Sequence, residues 1–217
     1  TWSPDSKYIF VGVLNREQNH MKMNQYDAVT GNLVKTLFEE TSDKYVEPQH
    51  PLLFFPNSNT DFIWQSQRTG YNHLFHYSLE KGLIAQITKG DWLVTDILGF
   101  NEKKKEIYYA STQESPMERH LYRINWNNFK TQKLSAAPGM HTGILSKDGT
   151  QLYDIYSNAT TPRSVNLLNT ATLKSKNILT SENTLKNYRR PEIKNVTLKA
   201  DDGTPLFGKI ILPTDFD

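Results

Sequence analysis

Apolar and polar residues alternate with a period of two over most of the chain, and helical periodicity is almost absent. The clearest pattern lies between Phe54 and Tyr122. A polar turn feeds Phe62-Ile63-Trp64, a polar loop follows, and an alternating strand closes the unit from His73 to Tyr77. The same sentence is then repeated with Ile107-Tyr108-Tyr109 and a closing strand from His120 to Ile124, 45 residues separating Phe62 from Ile107. Leu152-Tyr153-Asp154-Ile155-Tyr156 begins 45 residues after Ile107, behind the turn Leu145-Ser146-Lys147-Asp148. Upstream, Trp2 to Phe10 carries the hairpin a fourth time, Tyr8 standing 54 residues before Phe62, with the extra length in the loop Glu39 to Pro51.

A period near 45 made only of short strands is the signature of a four-stranded propeller blade, a small antiparallel sheet that cannot bury its two faces alone. The chain therefore predicts an all-β fold of four consecutive β-propeller blades. An ordinary β-sandwich also spaces its turns evenly but seldom repeats the same turn chemistry. Within the first unit, Tyr8 to Leu14 reads as a buried inner strand and Met21 to Asp27 as a half-exposed one, and Gly31-Asn32 turns the chain into Leu33 to Phe38. Glu39 to Pro51, charged and with two prolines, reads as an irregular crossover. Lys81-Gly82, Asn127-Asn128 and Asn169-Thr170 take the outer hairpin position of the later units. Ser181 to Tyr188 is the one helical candidate, capped by Ser181 and long enough for two turns. After Arg189-Arg190-Pro191 the grammar changes to a hairpin, Ile193 to Ala200 and Leu206 to Leu212 about an Asp-Asp-Gly turn. The boundary is placed there: residues 1–190 form blades and residues 191–217 open another domain.

Composition narrows the function. The 217 residues carry 25 basic and 23 acidic side chains, a net +2, which gives no broad electrostatic drive toward nucleic acid or an anionic membrane. Lys103-Lys104-Lys105 falls in a turn and reads as a solvated hairpin tip. The absence of cysteine removes disulfides, thiolate metal sites and a cysteine nucleophile. No stretch approaches the roughly 18 apolar residues of a membrane helix. A chain that opens inside a blade pattern is expected to be a piece of something larger.

Candidate chemistry is sparse. There is no G-x-S-x-G elbow, so no catalytic residue is assigned. Of the six histidines, His73 and His120 occupy equivalent repeat positions, which predicts a structural hydrogen-bonding role in the blade. Asp201-Asp202-Gly203 lacks the further oxygen ligands of a calcium loop, and no metal or cofactor is expected. Asn158-Ala159-Thr160 and Asn195-Val196-Thr197 match glycosylation acceptors at a frequency chance provides. The tyrosines are spread through strand cores and form no stacking platform for bases.

W-S-P-D-S-K, Y-V-E-P-Q-H, R-T-G-Y-N-H-L, S-P-M-E-R-H-L-Y-R-I and the closing V-T-L-K-A-D-D-G-T-P-L-F-G-K-I-I-L-P occur in one order along the whole chain. They resemble the propeller domain of dipeptidyl peptidase IV-type serine peptidases, in the prolyl oligopeptidase clan. The pairing of G-Y-N-H-L with S-P-M-E-R-H-L-Y is the most specific part. The resemblance implies an eight-bladed propeller capping an α/β-hydrolase domain, of which this chain would be four later blades plus the first hairpin of the hydrolase domain. The parent would be a serine exopeptidase releasing N-terminal dipeptides of the Xaa-Pro type. Its partners would be peptides with a free N-terminus, its own hydrolase domain and a second copy in a homodimer, in the periplasm or secreted. The triad would lie beyond Asp217. Adjacent glutamates hold the substrate amine in the family, but that pair sits in a short helix of an earlier blade. Glu39-Glu40 ends a strand and is expected to be solvated surface, the clamp preceding Thr1. The loop Tyr45-Val46-Glu47-Pro48 corresponds to one that approaches the extended subsites, so Tyr45 and Glu47 are the expected substrate-binding residues; a buried glutamate paired with Arg68 would look the same in sequence. A non-catalytic propeller used for protein-protein binding is the alternative.

Overall fold

The computed structural model describes residues 1–215. Fifteen strands make four antiparallel sheets in which spatial order follows chain order. The first sheet holds β1 (Tyr8–Leu14), β2 (His20–Asp27) and β3 (Leu33–Thr41); the second holds β4 (Leu53–Phe54), β5 (Asp61–Ser66), β6 (His73–Ser78) and β7 (Gly82–Gln86). The third contains β8 (Val94–Asn101), β9 (Glu106–Ser111), β10 (His120–Asn125) and β11 (Thr131–Lys133), and the fourth β12 (Met140–Leu145), β13 (Gln151–Ser157), β14 (Ser164–Asn169) and β15 (Ser175–Thr180). Phe62, Ile107 and Leu152 each stand second in the second strand of their sheet, so the 45-residue repeat is a repeat of register. The first sheet departs from the four-strand pattern. Its first place is taken by a bridge between Trp2 and Ile9 and by reciprocal backbone bonds between Thr1 and Phe10, Thr1 N to Phe10 O at 2.9 Å and Phe10 N to Thr1 O at 2.7 Å.

The sheets stack face to face, and the core lies between them in three layers. Phe62 and Trp64 of β5 join Phe10, Met21 and Met23 of the first sheet, while Ile63, between them in sequence, joins Ile107 and Tyr109 of the third. Ala110 of β9 turns to the fourth sheet and meets Leu152 and Leu168. A strand covered on both faces needs apolar residues at successive positions, which is why Phe62-Ile63-Trp64 and Ile107-Tyr108-Tyr109 read as unbroken runs. Turns also link neighbours. Gly149, at φ 70°, lies where a Cβ would meet Phe100 O at 2.8 Å, and its carbonyl accepts from Asn101 Nδ2 at 3.3 Å, so this turn closes against the end of β8.

Three expectations are corrected. β1 is the more open strand of the first sheet, with Val11 and Val13 exposed, while β2 buries Met21, Met23, Asn24 and Gln25. The methionines reach across to the second sheet, whereas no sheet among the described residues covers the other face of β1; alternation within one strand does not reveal which face has a neighbour. Residues 181–188 form no helix. Lys186 N bonds Asn183 O and Tyr188 N bonds Leu185 O, isolated turns whose apolar side chains, Leu185 and Tyr188, are exposed and gain nothing from helical periodicity. Finally, the crossover begins later than expected, because β3 runs through Glu39 and Glu40 to Thr41. Beyond the turns, β16 (Glu192–Lys199) and β17 (Pro205–Leu212) form a separate two-stranded sheet, with Gly203 at φ 84° in its turn.

Candidate functional site

β3 delivers Glu39 and Glu40 to opposite faces, as strand geometry requires. Glu39 stays in solvent, where its carboxyl is held below the usual range first by His20, whose Nε2 is 2.5 Å away, and then by Lys22 at 3.3 Å. Glu40 turns inward and its side chain is only 9% exposed. It accepts from Trp64 Nε1 at 2.8 Å and pairs with Arg68 Nη2. The expectation that both glutamates are solvated therefore fails for Glu40. The alternative for Glu47, burial in a pair with Arg68, does not hold: the glutamate that pairs with Arg68 is Glu40 of β3.

Arg68 is fixed on every side. Its Nη1 donates to the Tyr77 hydroxyl at 2.6 Å and its Nε to Ser66 Oγ at 3.1 Å, and the guanidinium lies over the Phe75 ring at 4.8 Å and near Tyr77 at 5.6 Å. Burial raises the Tyr77 phenol above its ordinary range, so it remains a neutral acceptor for Arg68. A charge pair taken this far from water is stable only when further hydrogen bonds and aromatic faces satisfy it, and here they do.

The pair forms one wall of a cavity of about 500 Å³ between the end of β3, the loop after it and the end of β5. Tyr45 and Glu47 both line it. Val46, between them, packs into the first core layer and its N–H bonds Gln18 O at 2.7 Å. That anchor leaves Tyr45, 59% exposed, and Glu47 in solvent at the cavity mouth. Asp43 joins them, so three carboxylates and a single guanidinium surround the space. The arrangement can bind a cationic or hydrogen-bond-donating group beside an aromatic ring; it contains no nucleophile paired with a base.

The histidines are structural. His73 donates from Nε2 to Gly90 O at 2.9 Å, so Nδ1, 3.0 Å from Thr88 Oγ1, accepts that hydroxyl. Burial holds this imidazole below its ordinary value, partly opposed by the Gly90 carbonyl. His120 repeats the geometry with Ser135 Oγ at 2.8 Å from Nδ1 and Glu118 Oε2 at 2.8 Å from Nε2. Serine, histidine and glutamate thus stand in line as they would in a hydrolase. Ser135, however, is buried and its oxygen accepts the Leu121 N–H, so no substrate carbonyl can reach it. The recurrence of the motif at His73, with a carbonyl in place of the acid, marks it as a way of tying the outgoing loop to the third strand. A third member was not anticipated: His141, held between Asp154 Oδ1 at 2.6 Å and Ala137 O at 2.7 Å. It enters from the first strand of its sheet, so the repeat position gave no signal for it.

Residues 1–163 match the family described as the dipeptidyl peptidase IV (DPP IV) N-terminal region. Dipeptidyl-aminopeptidase B of Aspergillus niger is 31% identical over 155 residues, covering 64% of this chain and 17% of that protein. Dipeptidyl peptidase 8 of Mus musculus is 25% identical over 278 residues, covering 99% of this chain and 31% of that protein. Among solved structures, a Bacteroides ovatus protein described as a dipeptidyl aminopeptidase IV superposes on all of this chain with a TM-score of 0.91 at 38% identity, and 34% of it is covered. Porphyromonas gingivalis dipeptidyl peptidase 4 superposes on 98% of the chain with a TM-score of 0.84 at 26% identity, and 30% of it is covered. The chain thus spans about a third or less of the length of these relatives.

Proposed function

The chain belongs to the dipeptidyl peptidase IV N-terminal region family, and from that premise we propose that it is the propeller part of a serine exopeptidase that releases N-terminal dipeptides. The observation that carries this reading is the continuity of the likeness, which runs through all four sheets and the β16–β17 hairpin. On this reading the blades end at residue 190 and residues 191–217 begin the hydrolase domain, whose serine, aspartate and histidine follow Asp217. The propeller works by exclusion and orientation: it admits an extended peptide, shuts out folded chains and holds the peptide beside the nucleophile. Tyr45 and Glu47 serve it at the cavity mouth, where the phenol ring packs on the peptide and the carboxylate accepts from its donors. The substrate's free amine is held by carboxylates of a segment before Thr1. A homodimer in the periplasm or outside the cell completes the proposal.

The test uses the full-length protein and an Xaa-Pro reporter. Turnover that a serine-directed covalent inhibitor abolishes supports the peptidase, and Tyr45→Ala with Glu47→Gln should raise KM severalfold for tetrapeptides while leaving kcat within about twofold. A full-length protein with no dipeptide release from any reporter overturns the reading and leaves the propeller as a binding module.

A further inference from the structure

Three arginines of this chain are partly buried, and two are saturated. Arg68 is held by Glu40, Tyr77 and Ser66. Arg123 donates to Gln132 Oε1 from Nε at 3.0 Å and from Nη2 at 2.6 Å, and from Nη1 to Thr170 O at 2.8 Å. Arg119 differs. Its Nε is buried without an acceptor, and among the described residues its guanidinium meets no carboxylate or carbonyl. Its sequence neighbour Glu118 is engaged by His120, on the opposite face of the chain. A guanidinium Nε–H drawn out of water with nothing to accept it is costly, so an acceptor from outside the chain is the natural complement.

Arg119 lines a cavity of about 450 Å³ between the third and fourth sheets, walled by Asp96–Leu98 of β8 and His141–Leu145 of β12. Asp96, exposed to solvent on the same cavity, takes no side-chain hydrogen bond and no ion pair among the described residues, Arg119 included. His141 is not available to a ligand, since both its nitrogens are occupied. β8 and β12 are each the edge strand of their sheet, and the start of β12 is tied to Arg119 itself, the Arg119 N–H donating to Gly139 O at 3.1 Å and the His141 N–H to Arg119 O at 3.0 Å. Gly143 lies where a Cβ would meet Leu98 Cδ1 at 2.5 Å, which keeps the two edges close.

A guanidinium with an unpartnered Nε and a carboxylate without a partner around one space match the chemistry of a short peptide with both termini free. We propose that this cavity binds a short zwitterionic peptide, its carboxylate on the Arg119 guanidinium and its ammonium on Asp96. That its source is the dipeptide released by the peptidase rests on the function proposed above; the recognition chemistry does not. Nothing covalent occurs here.

The experiment is calorimetric titration of glycyl-proline into the full-length protein after its nucleophilic serine has been covalently blocked, with glycyl-prolinamide and N-acetyl-glycyl-proline as controls. Binding should weaken about tenfold in Arg119→Gln and by a similar factor for the amide, as expected for one lost charge-assisted contact. Asp96→Asn and N-acetylation should weaken it likewise, and Arg119→Lys should recover part of the loss. As a second reading, glycyl-proline should raise the melting temperature of the parent and not that of Arg119→Met, while Arg119→Met without peptide should melt no lower than the parent. No binding to the blocked parent, equal affinity in parent and Arg119→Gln, or indifference to both terminal blocks overturns the proposal. Because dipeptide release is measured before blocking, loss of the site and loss of the peptidase reading are separate results.

Discussion

Strands β9 and β13 occupy the same place in successive sheets, yet their equivalent residues live in different surroundings. In β9, Ile107, Tyr108, Tyr109 and Ala110 are all buried, because the second sheet covers one face and the fourth covers the other. In β13, Leu152 is buried against the third sheet while the next residue, Tyr153, is 43% exposed. The core layers follow the same trend. Nine residues make the buried layer between the second and third sheets, and four make the layer between the third and fourth. The repeat therefore specifies register and strand position, while burial is conferred by whichever sheet stacks on each face.

The largest effect should come from breaking β9. Tyr109 is fully buried and packs on Tyr122 with ring centroids 5.5 Å apart, so Tyr109→Ala should cost about 3–5 kcal/mol in denaturant unfolding. Tyr153→Ala, made in the 217-residue chain, should fall within about 0.5 kcal/mol, the range of ordinary surface changes. Repeating both in the full-length protein sharpens the comparison. If a further blade stacks on β13, the cost of Tyr153→Ala rises there while that of Tyr109→Ala is unchanged; equal small costs in both contexts would mean that face stays open.

Next in size is the pair that joins the first two sheets. Arg68→Ala should cost roughly 3 kcal/mol, the lower end for breaking a buried ion pair because the Arg68 side chain keeps 27% of its exposure. The cost arises from leaving the Glu40 carboxylate buried with Trp64 Nε1 as its one remaining partner and no counter-charge, so the double variant Glu40→Gln with Arg68→Met should recover most of it. A double variant as unstable as Arg68→Ala alone would place the loss in aromatic packing with Phe75 and Tyr77.

The strand order and the register of the repeat were legible because each unit carries its own turn chemistry, as Ser3-Pro4-Asp5 and Ser146-Lys147-Asp148 illustrate. In both, a serine hydroxyl donates to the aspartate two residues on. That residues 45–48 form an irregular connection was legible for a similar local reason, the prolines and charges of the segment, whereas the role expected of Tyr45 and Glu47 came from the family resemblance. Glu40 was not legible. Its partners Trp64 and Arg68 are 24 and 28 residues away and enter from another sheet, and a strand ending in two glutamates looks alike whether the second one points to water or to a neighbour. The inversion of β1 and β2 has the same origin, since stacking between sheets leaves no mark on the alternation of a single strand. Arg119 stayed hidden because its distinction is the lack of a partner, which only the folded arrangement discloses.

The smallest expected effect separates the loop-tying histidines from the solvent carboxylates through pH. Burial lowers the His73 imidazole below its ordinary value of 6.5, and burial lowers His76 as well, against the pull of Asp61. A folded value below the unfolded one means that the unfolded chain binds more protons. Their contribution to stability is therefore complete above about pH 6.5 and is lost as the pH falls through the lowered folded values. The carboxylates with depressed values, among them Asp148 at about 2 and Glu39 below 4.5, act in the same direction but only at more acid pH. Unfolding midpoints measured between pH 7.5 and 5 should thus decline with a slope due to the histidines, and His73→Asn should flatten it even though that variant is less stable overall. If the midpoint is level across this interval in the parent, the histidines are not buried as uncharged ties, and the loop that follows β7 must be held by Trp92 and Thr88 without them.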